Sequence, residues 1–314
     1  MVVEYKVAEK EDNIILKSIL KNKMKFSINI IKKIEPYIKL YRDDAEILNL
    51  KVTNRVKYKD RITVDIAKFE QDTTLPNEYF VNKYNCTKKN INILYEDEYI
   101  LAVEKEAKLN IHPTCLEITE TLANFVAPYL YEQGVYKIHI VNRLDKDTSG
   151  VCIFAKNAYI QELFNKGLDY LKEYIAIVQG KIDEKHDIIS AKIARKAGSI
   201  IEREVSDVGK EAITEYTVLK YNEIYDYTTL LVKLHTGRTH QIRVHMSHID
   251  HPLLGDELYG GKKDLITRQA LHCYKLSFTH PITGRNIQIE CDLPEDMEKV
   301  TKNGWHKFRG RAII

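Results

Sequence analysis

The strongest candidate for chemistry in this chain is an aspartate two residues after an arginine, in a short polar turn: Arg143-Leu144-Asp145-Lys146-Asp147-Thr148-Ser149-Gly150. Apolar runs flank it, Ile138 to Val141 before and Val151 to Ala155 after, so the Asp145 carboxylate is expected at the edge of a buried element with a cation near it in sequence. Such a group can serve as a nucleophile, a metal ligand or a turn residue. Asp145, Asp147, Ser149 and Gly150 imitate the opening of a calcium loop, but the twelfth position, where a bidentate glutamate is needed, holds Lys156. A cation there repels the ion. Nucleophile and ordinary turn both remain open.

A second segment, Thr236-Gly237-Arg238-Thr239-His240-Gln241-Ile242-Arg243-Val244-His245-Met246, joins a strand-like run to a helical pattern. Thr239 has the chemistry of an N-cap, and Ile242, Met246 and Ile249 recur at helical spacing behind it. Histidines at 240, 245, 248 and 251 invite a zinc reading, yet no H-E-x-x-H or C-x-x-C accompanies them, so no metal site is expected. Arg238 and Arg243 suit phosphate or carboxylate, because the guanidinium fork is always charged and binds two oxygens at once. Tyr174 opens a third segment, where it is either core or a flat face for stacking a base.

These groups need a frame. Tyr99 to Val103, Tyr174 to Val178, Thr214 to Leu219 and Thr228 to Leu234 read as strands, the last two as antiparallel neighbours. Ala270 to Phe278 and Asn286 to Cys291 read as a hairpin around Pro281-Ile282-Thr283-Gly284. Helices are expected from about Thr119, as cap, to Gly134, and from Ala158 to Leu168. Strands outnumber helices and several pair locally, which predicts an α+β domain on a mixed, largely antiparallel sheet. Upstream, Leu16, Ile19 and Leu20, then Ile28, Ile30, Ile31 and Ile34, predict two short amphipathic helices, with Ser27 capping the second. Strand-like pieces follow at Ile47 to Val52 and Ile62 to Ile66. The polar stretch from Phe69 to Lys88, containing Pro76, reads as a linker.

Bulk properties narrow the class. Lys+Arg number 48 against Asp+Glu 45, a formal charge of +3, so global charge announces no nucleic acid. The basic residues are concentrated, however: Lys21, Lys23, Lys25, Lys32 and Lys33 fall on the expected helix pair with Glu35 as the local counter-charge. Five scattered cysteines without a C-x-x-C pair argue for a reducing compartment. No signal-peptide core and no membrane-length apolar run occur, so a soluble, cytoplasmic protein without membrane contact is expected.

The segments, in order, resemble the RluA-type RNA pseudouridine synthases. The signature is arginine-leucine-aspartate, two variable residues, then threonine-serine-glycine, here Arg143-Leu144-Asp145 and Thr148-Ser149-Gly150. The match continues through Gly237 to His245, His251-Pro252-Leu253-Leu254-Gly255-Asp256, Leu258-Tyr259-Gly260, Leu271-His272, Phe278-Thr279-His280-Pro281 and Leu293-Pro294. Upstream, Ile93 to Glu98, Lys105 and His112-Pro113 resemble the family's opening strand pair, so the likeness spans about residues 91 to 295. Three departures stand out. Asn142 replaces a histidine, Lys105-Glu106-Ala107-Lys108 replaces a Lys-Pro-x-Gly turn, and Asp250 replaces a glycine.

The resemblance implies a pseudouridine-synthase-like domain over residues 91–302. An S-four-like RNA-binding module is expected over 1–75, a linker over 76–90 and a basic tail over 303–314. It implies isomerisation of uridine in structured RNA with no metal, redox cofactor or energy source. Asp145 becomes the essential carboxylate, Arg243 its partner, and Tyr174 a group against the uracil that could assist at C5. Ile242 closes the apolar side, Arg143 and Arg238 contact RNA, and the five lysines add affinity. Ribosomal RNA is the expected substrate and monomer the expected state. Transfer RNA, or a catalytically inactive RNA-binding protein, are the alternatives, the latter requiring loss of groups that are all present.

Overall fold

The computed structural model describes residues 1–73, 89–114, 117–166 and 170–301. The expected linker, apart from its last two residues, and the basic tail lie outside them. The first unit comprises β1 (Val2–Lys6), α1 (Leu16–Asn22), α2 (Ile28–Ile34), β2 (Ile38–Arg42), β3 (Ala45–Glu46), β4 (Arg61–Asp65) and α3 (Ile66–Asp72). Its sheet runs β1-β4-β2-β3 and is antiparallel throughout. Both expected helices form, and the Ser27 hydroxyl accepts from the Ile30 amide at 3.2 Å. Leu16, Ile19, Leu20, Ile31 and Ile34 are buried, while the five lysines stand exposed. Lys23 has a counter-charge that local reading missed, Glu11, at 3.1 Å.

Two expectations need correction here. Ile47 to Val52 is not a strand; the chain turns there, after β3. Phe69 to Asp72 belongs to α3, which Asp65 caps by accepting from the Lys68 amide at 3.0 Å. That helix ties the first unit to the second. Glu70 accepts from the Ala158 amide at 3.1 Å and lies 3.7 Å from Lys137. Phe26, wholly buried, packs on Tyr159 with ring centroids 4.7 Å apart.

The second unit comprises β5 (Ile93–Glu96), β6 (Ile100–Lys105), α4 (Leu122–Glu132), β7 (His139–Ile140), β8 (Ser149–Ala155), α5 (Ala158–Lys166) and β9 (Leu171–Gln179). It continues with β10 (His186–Ser190), β11 (Ile193–Arg195), β12 (Arg203–Val205), β13 (Ile213–Asn222), β14 (Tyr227–Leu234) and α6 (Gln241–His248). β15 (Leu271–Thr279), β16 (Asn286–Glu290) and α7 (Glu295–Thr301) complete it. Its main sheet runs β10-β13-β14-β9-β15-β8-β6-β5, with β16 on β15 and β7 on β8. All its pairings are antiparallel except β15 with β8, the mixed, largely antiparallel α+β arrangement expected. The cap of α4 is Thr121, not Thr119, in a reciprocal capping box with Asn124. Among the described residues no helix is long and apolar enough to cross a membrane.

One row of the sheet organises everything near Asp145. Lys105 on β6 pairs with Gly150 on β8, Gly150 with Cys273 on β15, and Cys273 with Tyr174 on β9. Gly150 sits at φ +119°, and a Cβ there would lie 2.2 Å from the Cys273 carbonyl oxygen. Only glycine lets β8 approach β15 at this point.

Candidate active site

Asp145 lies in the turn that feeds β8, where its carbonyl accepts from the Thr148 amide at 3.1 Å. The turn is fastened on several sides. Asn142, buried, bridges the incoming strand to β8: Nδ2 donates to the Val151 carbonyl at 2.9 Å, and Oδ1 accepts from the Ile153 amide at 2.8 Å. An amide carries donor and acceptor side by side, as a peptide group does, whereas an imidazole carries them on different edges of its ring. The departure from histidine therefore leaves a well-bonded strand entry.

Beneath the turn lie two buried cations. Lys105 is fully buried, and its Nζ donates to three carbonyls, Glu106 at 2.9 Å, Leu109 at 2.8 Å and Lys146 at 2.8 Å. Arg268, 3% exposed, donates to the Asp147 carbonyl at 3.0 Å and pairs with both oxygens of Asp296 at 2.6 and 2.8 Å. The carbonyls of the two residues after Asp145 are thus each held by a charge from below. Gln269 reaches Thr148 Oγ1 at 3.3 Å, and Ser149 Oγ meets His272 Nδ1 at 2.9 Å. Lys108 stands at φ +64° where the resembled turn has glycine, and Asp250 at φ +63° where glycine is usual after α6. Both substitutions keep the left-handed backbone, aspartate more easily than lysine.

Burial pushes the Lys105 ammonium down to about 8, opposed by the carboxylates of Asp147 and Asp145. The three carbonyls need all three of its N–H donors. Lys105→Met keeps the length and leaves three buried carbonyls unpaired, so a stability loss of roughly 3 kcal/mol or more is expected. A turn displaced by about 1 Å lowers kcat by about 100-fold. Denaturant titration and single-turnover kinetics read the two effects separately.

Above the turn, α6 delivers Arg243. It is 6% exposed and forms a bidentate pair with Asp256, Nε to Oδ2 and Nη2 to Oδ1, both at 2.7 Å. Its remaining Nη1 lies 3.3 Å from Asp145 Oδ2. Asp256, 2% exposed, is therefore the main partner of this guanidinium, and Asp145 takes the third contact. Tyr259 lies under the guanidinium, with the ring centroid 5.0 Å from Cζ. The helix does not begin as expected: its N-cap is His240 at φ +58°, without a side-chain cap bond, instead of Thr239. His240 Nε2 stands 3.9 Å from the same Oδ2.

Tyr174 is 5% exposed, and burial pushes its hydroxyl well above the ordinary phenol value, with the Cys273 thiol beside it adding to the rise. It stays a phenol at neutral pH, suited to packing and donating, not to accepting a proton. Ile242 is buried in the main apolar core. Arg143 is exposed at the lip of the turn. Arg238 is also exposed, its Nε donating to the Glu211 carbonyl at 2.9 Å. Histidines that invite a zinc reading have other occupations. His245 bonds Thr214 Oγ1 and the Ala191 carbonyl, each at 2.9 Å, and His251 bonds the Gln179 carbonyl at 2.8 Å.

Asp145, Arg243 and Tyr174 are thus brought to one region, with Arg143 at its rim; Lys21, Lys23, Lys25, Lys32 and Lys33 belong to the other unit. Sequence reading missed the roles of Asp256, His240, Tyr259, Lys105 and Arg268. The first four stand within matched segments and could have been questioned there. Arg268 carries no local signal.

The model of the family described as RNA pseudouridylate synthase matches residues 99–248. An uncharacterized RNA pseudouridine synthase of Bacillus subtilis (strain 168), YhcT, is 34% identical over 304 residues, covering 96% of both chains. Ribosomal large subunit pseudouridine synthase D of Vibrio cholerae is 36% identical over 229 residues, 67% of this chain and 70% of that one. Among solved structures, human RNA Pseudouridylate Synthase Domain Containing 1 has a TM-score of 0.52 at 26% identity, covering 65% of this chain and 84% of that one.

Proposed function

We propose that this chain, which belongs to the RluA-type RNA pseudouridine synthases and isomerises uridine to pseudouridine in RNA, does so with Asp145 as its essential carboxylate and ribosomal RNA as its substrate. The reaction breaks the N1–C1′ bond, turns the uracil and joins C5 to C1′; the proton lost from C5 is balanced by one gained at N1. Asp145 can begin this at the sugar, as nucleophile or base, or at the uracil, and each route starts from the ionised carboxylate. The observation that carries the reading is the Asp256–Arg243–Asp145 arrangement. A guanidinium fixed by one buried carboxylate offers its spare N–H to the other, favouring the charged form and setting its direction.

Placement supports the other roles in this reading. Tyr174 packs against the uracil face as a neutral phenol, and Ile242 supports the apolar side. Arg143, exposed beside the carboxylate, takes the space vacated when the uridine is unstacked or holds its phosphate. Arg238 meets the backbone nearby. Residues 1–75 act as an RNA-binding module of S-four-like kind, and the enzyme works as a cytoplasmic monomer without a cofactor. Support for ribosomal RNA comes from the Vibrio relative's name and from the exposed lysines of α1, α2 and the turn between them.

The test is to map pseudouridines in ribosomal and transfer RNA from cells with and without the gene, and on the same RNAs treated with purified protein. Sites lost from large-subunit RNA and restored by the protein are expected. Losses confined to transfer RNA would replace the substrate, and no product on either RNA would remove the activity. For the first unit, Lys21, Lys25, Lys32 and Lys33 changed together to Gln should weaken RNA binding. The slope of log K against log salt should fall by roughly 0.7 to 0.9 for each phosphate that is no longer neutralised. Lys23 is left in place because it pairs with buried Glu11. An unchanged slope would remove the RNA role of α1 and α2.

A further inference from the structure

Asp145 has two oxygens, and the protein treats them differently. Oδ2 lies 3.3 Å from Arg243 Nη1 and 3.9 Å from His240 Nε2, while no described residue addresses Oδ1. His240 is held on its other edge: Nδ1 is 2.9 Å from the Tyr259 hydroxyl, with the two rings edge to face at 5.7 Å. The Tyr259 hydroxyl also accepts the Arg203 backbone N–H at 2.9 Å. The accepted N–H leaves the hydroxyl its own proton to place on Nδ1 of His240, and in that tautomer the imidazole proton sits on Nε2, toward Asp145. At 3.9 Å this is an electrostatic contact beyond hydrogen-bond range; site contacts of this kind tighten when substrate binds. His240 holds this place through a left-handed backbone at φ +58°, a conformation uncommon outside glycine.

We propose that His240, with its tautomer set by Tyr259, is a positioning residue that joins Arg243 on Oδ2 of Asp145 and so reserves Oδ1 for the uridine. This rests on Asp145 being the reacting carboxylate. The arrangement needs a neutral imidazole: an imidazolium so close would draw charge from the carboxylate and give up the bond accepted from Tyr259. Around the ring stand Asp145, Asp256, Arg203 and Arg243, two of each sign, with the Tyr259 phenol. Burial is the largest influence and holds the imidazole below its ordinary value, so it is neutral at pH 7 and charges as pH falls.

The test measures single-turnover rates on a substrate RNA from pH 5 to 8 for wild type, His240→Asn, Tyr259→Phe and Asp145→Asn. Asparagine tolerates the left-handed backbone but lacks the Nε2 arm. His240→Asn should lower the rate at saturating RNA about tenfold near pH 7.5, with KM within about twofold, and should delete the histidine inflection from the acid limb. A merely structural histidine would lower the rate or stability and leave the limb's shape intact. That outcome, or an unchanged rate, overturns the proposal. Tyr259→Phe removes the hydroxyl that favours an unprotonated Nδ1, so the inflection should move to higher pH. An inflection that stays or moves down overturns the assigned tautomer, and this variant decides if His240→Asn does not fold. Asp145→Asn separates the two readings. Product from it removes the essential carboxylate itself; no product, with an unchanged limb in His240→Asn, removes only the role given to His240.

Discussion

Asp145→Asn is expected to bind RNA within about threefold of wild type while its rate falls by more than about 10⁴-fold, the scale for losing a nucleophile or general base. Asparagine has the same shape and keeps an oxygen for the 3.3 Å contact with Arg243, but it is neither an anion nor a base. Removing a charged partner from a buried arginine ordinarily costs several kcal/mol and confuses loss of chemistry with loss of fold. Here that cost is averted, because Arg243 retains its bidentate pair with Asp256. Asp145 is itself 28% exposed, so the change in stability should stay near 1 kcal/mol. Equilibrium binding, thermal unfolding and pseudouridine formation on one preparation check all three statements. Undiminished product would remove Asp145 from the mechanism.

What could be read from the sequence follows a physical division. Local patterns were legible because local chemistry makes them: Ser27 caps α2, and β13 and β14 pair as antiparallel neighbours. The strands β10 to β12 escaped notice; they are three to five residues long, with Ile188, Ile200 and Ile201 exposed around them, so apolar periodicity does not mark them. β1 alternates between exposed and half-buried positions without burying any residue fully, and β2 alternates over only three residues, so neither shows a strong apolar face. At the site, Asp145 and Arg243 were legible as a pair only through the family pattern, since 98 residues separate them. What no spacing could tell was the sharing of partners. Arg243 is divided between two carboxylates, and Lys105 and Arg268 reach the turn from β6 and from the residues before β15. The departures were more readable than they looked. Lys108 and Asp250 both adopt the positive φ that their glycine counterparts imply, so backbone geometry is retained although the letters changed.

Asp256→Ala is expected to destabilise the protein by about 3 to 5 kcal/mol, the usual consequence of stranding one charge of a buried pair. Arg243 is 6% exposed and loses two hydrogen bonds of 2.7 Å at once. Its nearest remaining carboxylate is Asp145, so in the molecules that still fold the guanidinium should swing to it and occupy both of its oxygens. Catalysis then suffers twice, from a tied carboxylate and from a displaced turn, and kcat should fall by at least about 100-fold. Asp256→Asn keeps one acceptor and should lie between wild type and alanine in both respects. The decisive comparison adds Arg243→Met. With the stranded charge gone, the double variant should regain much of the stability lost in Asp256→Ala, while its activity stays low because Asp145 has no guanidinium beside it. Recovery of stability without recovery of rate would assign Asp256 to holding Arg243 for Asp145. If Asp256→Ala melted within about 1 kcal/mol of wild type and kept its rate, the shared guanidinium would not be the organising contact of this site.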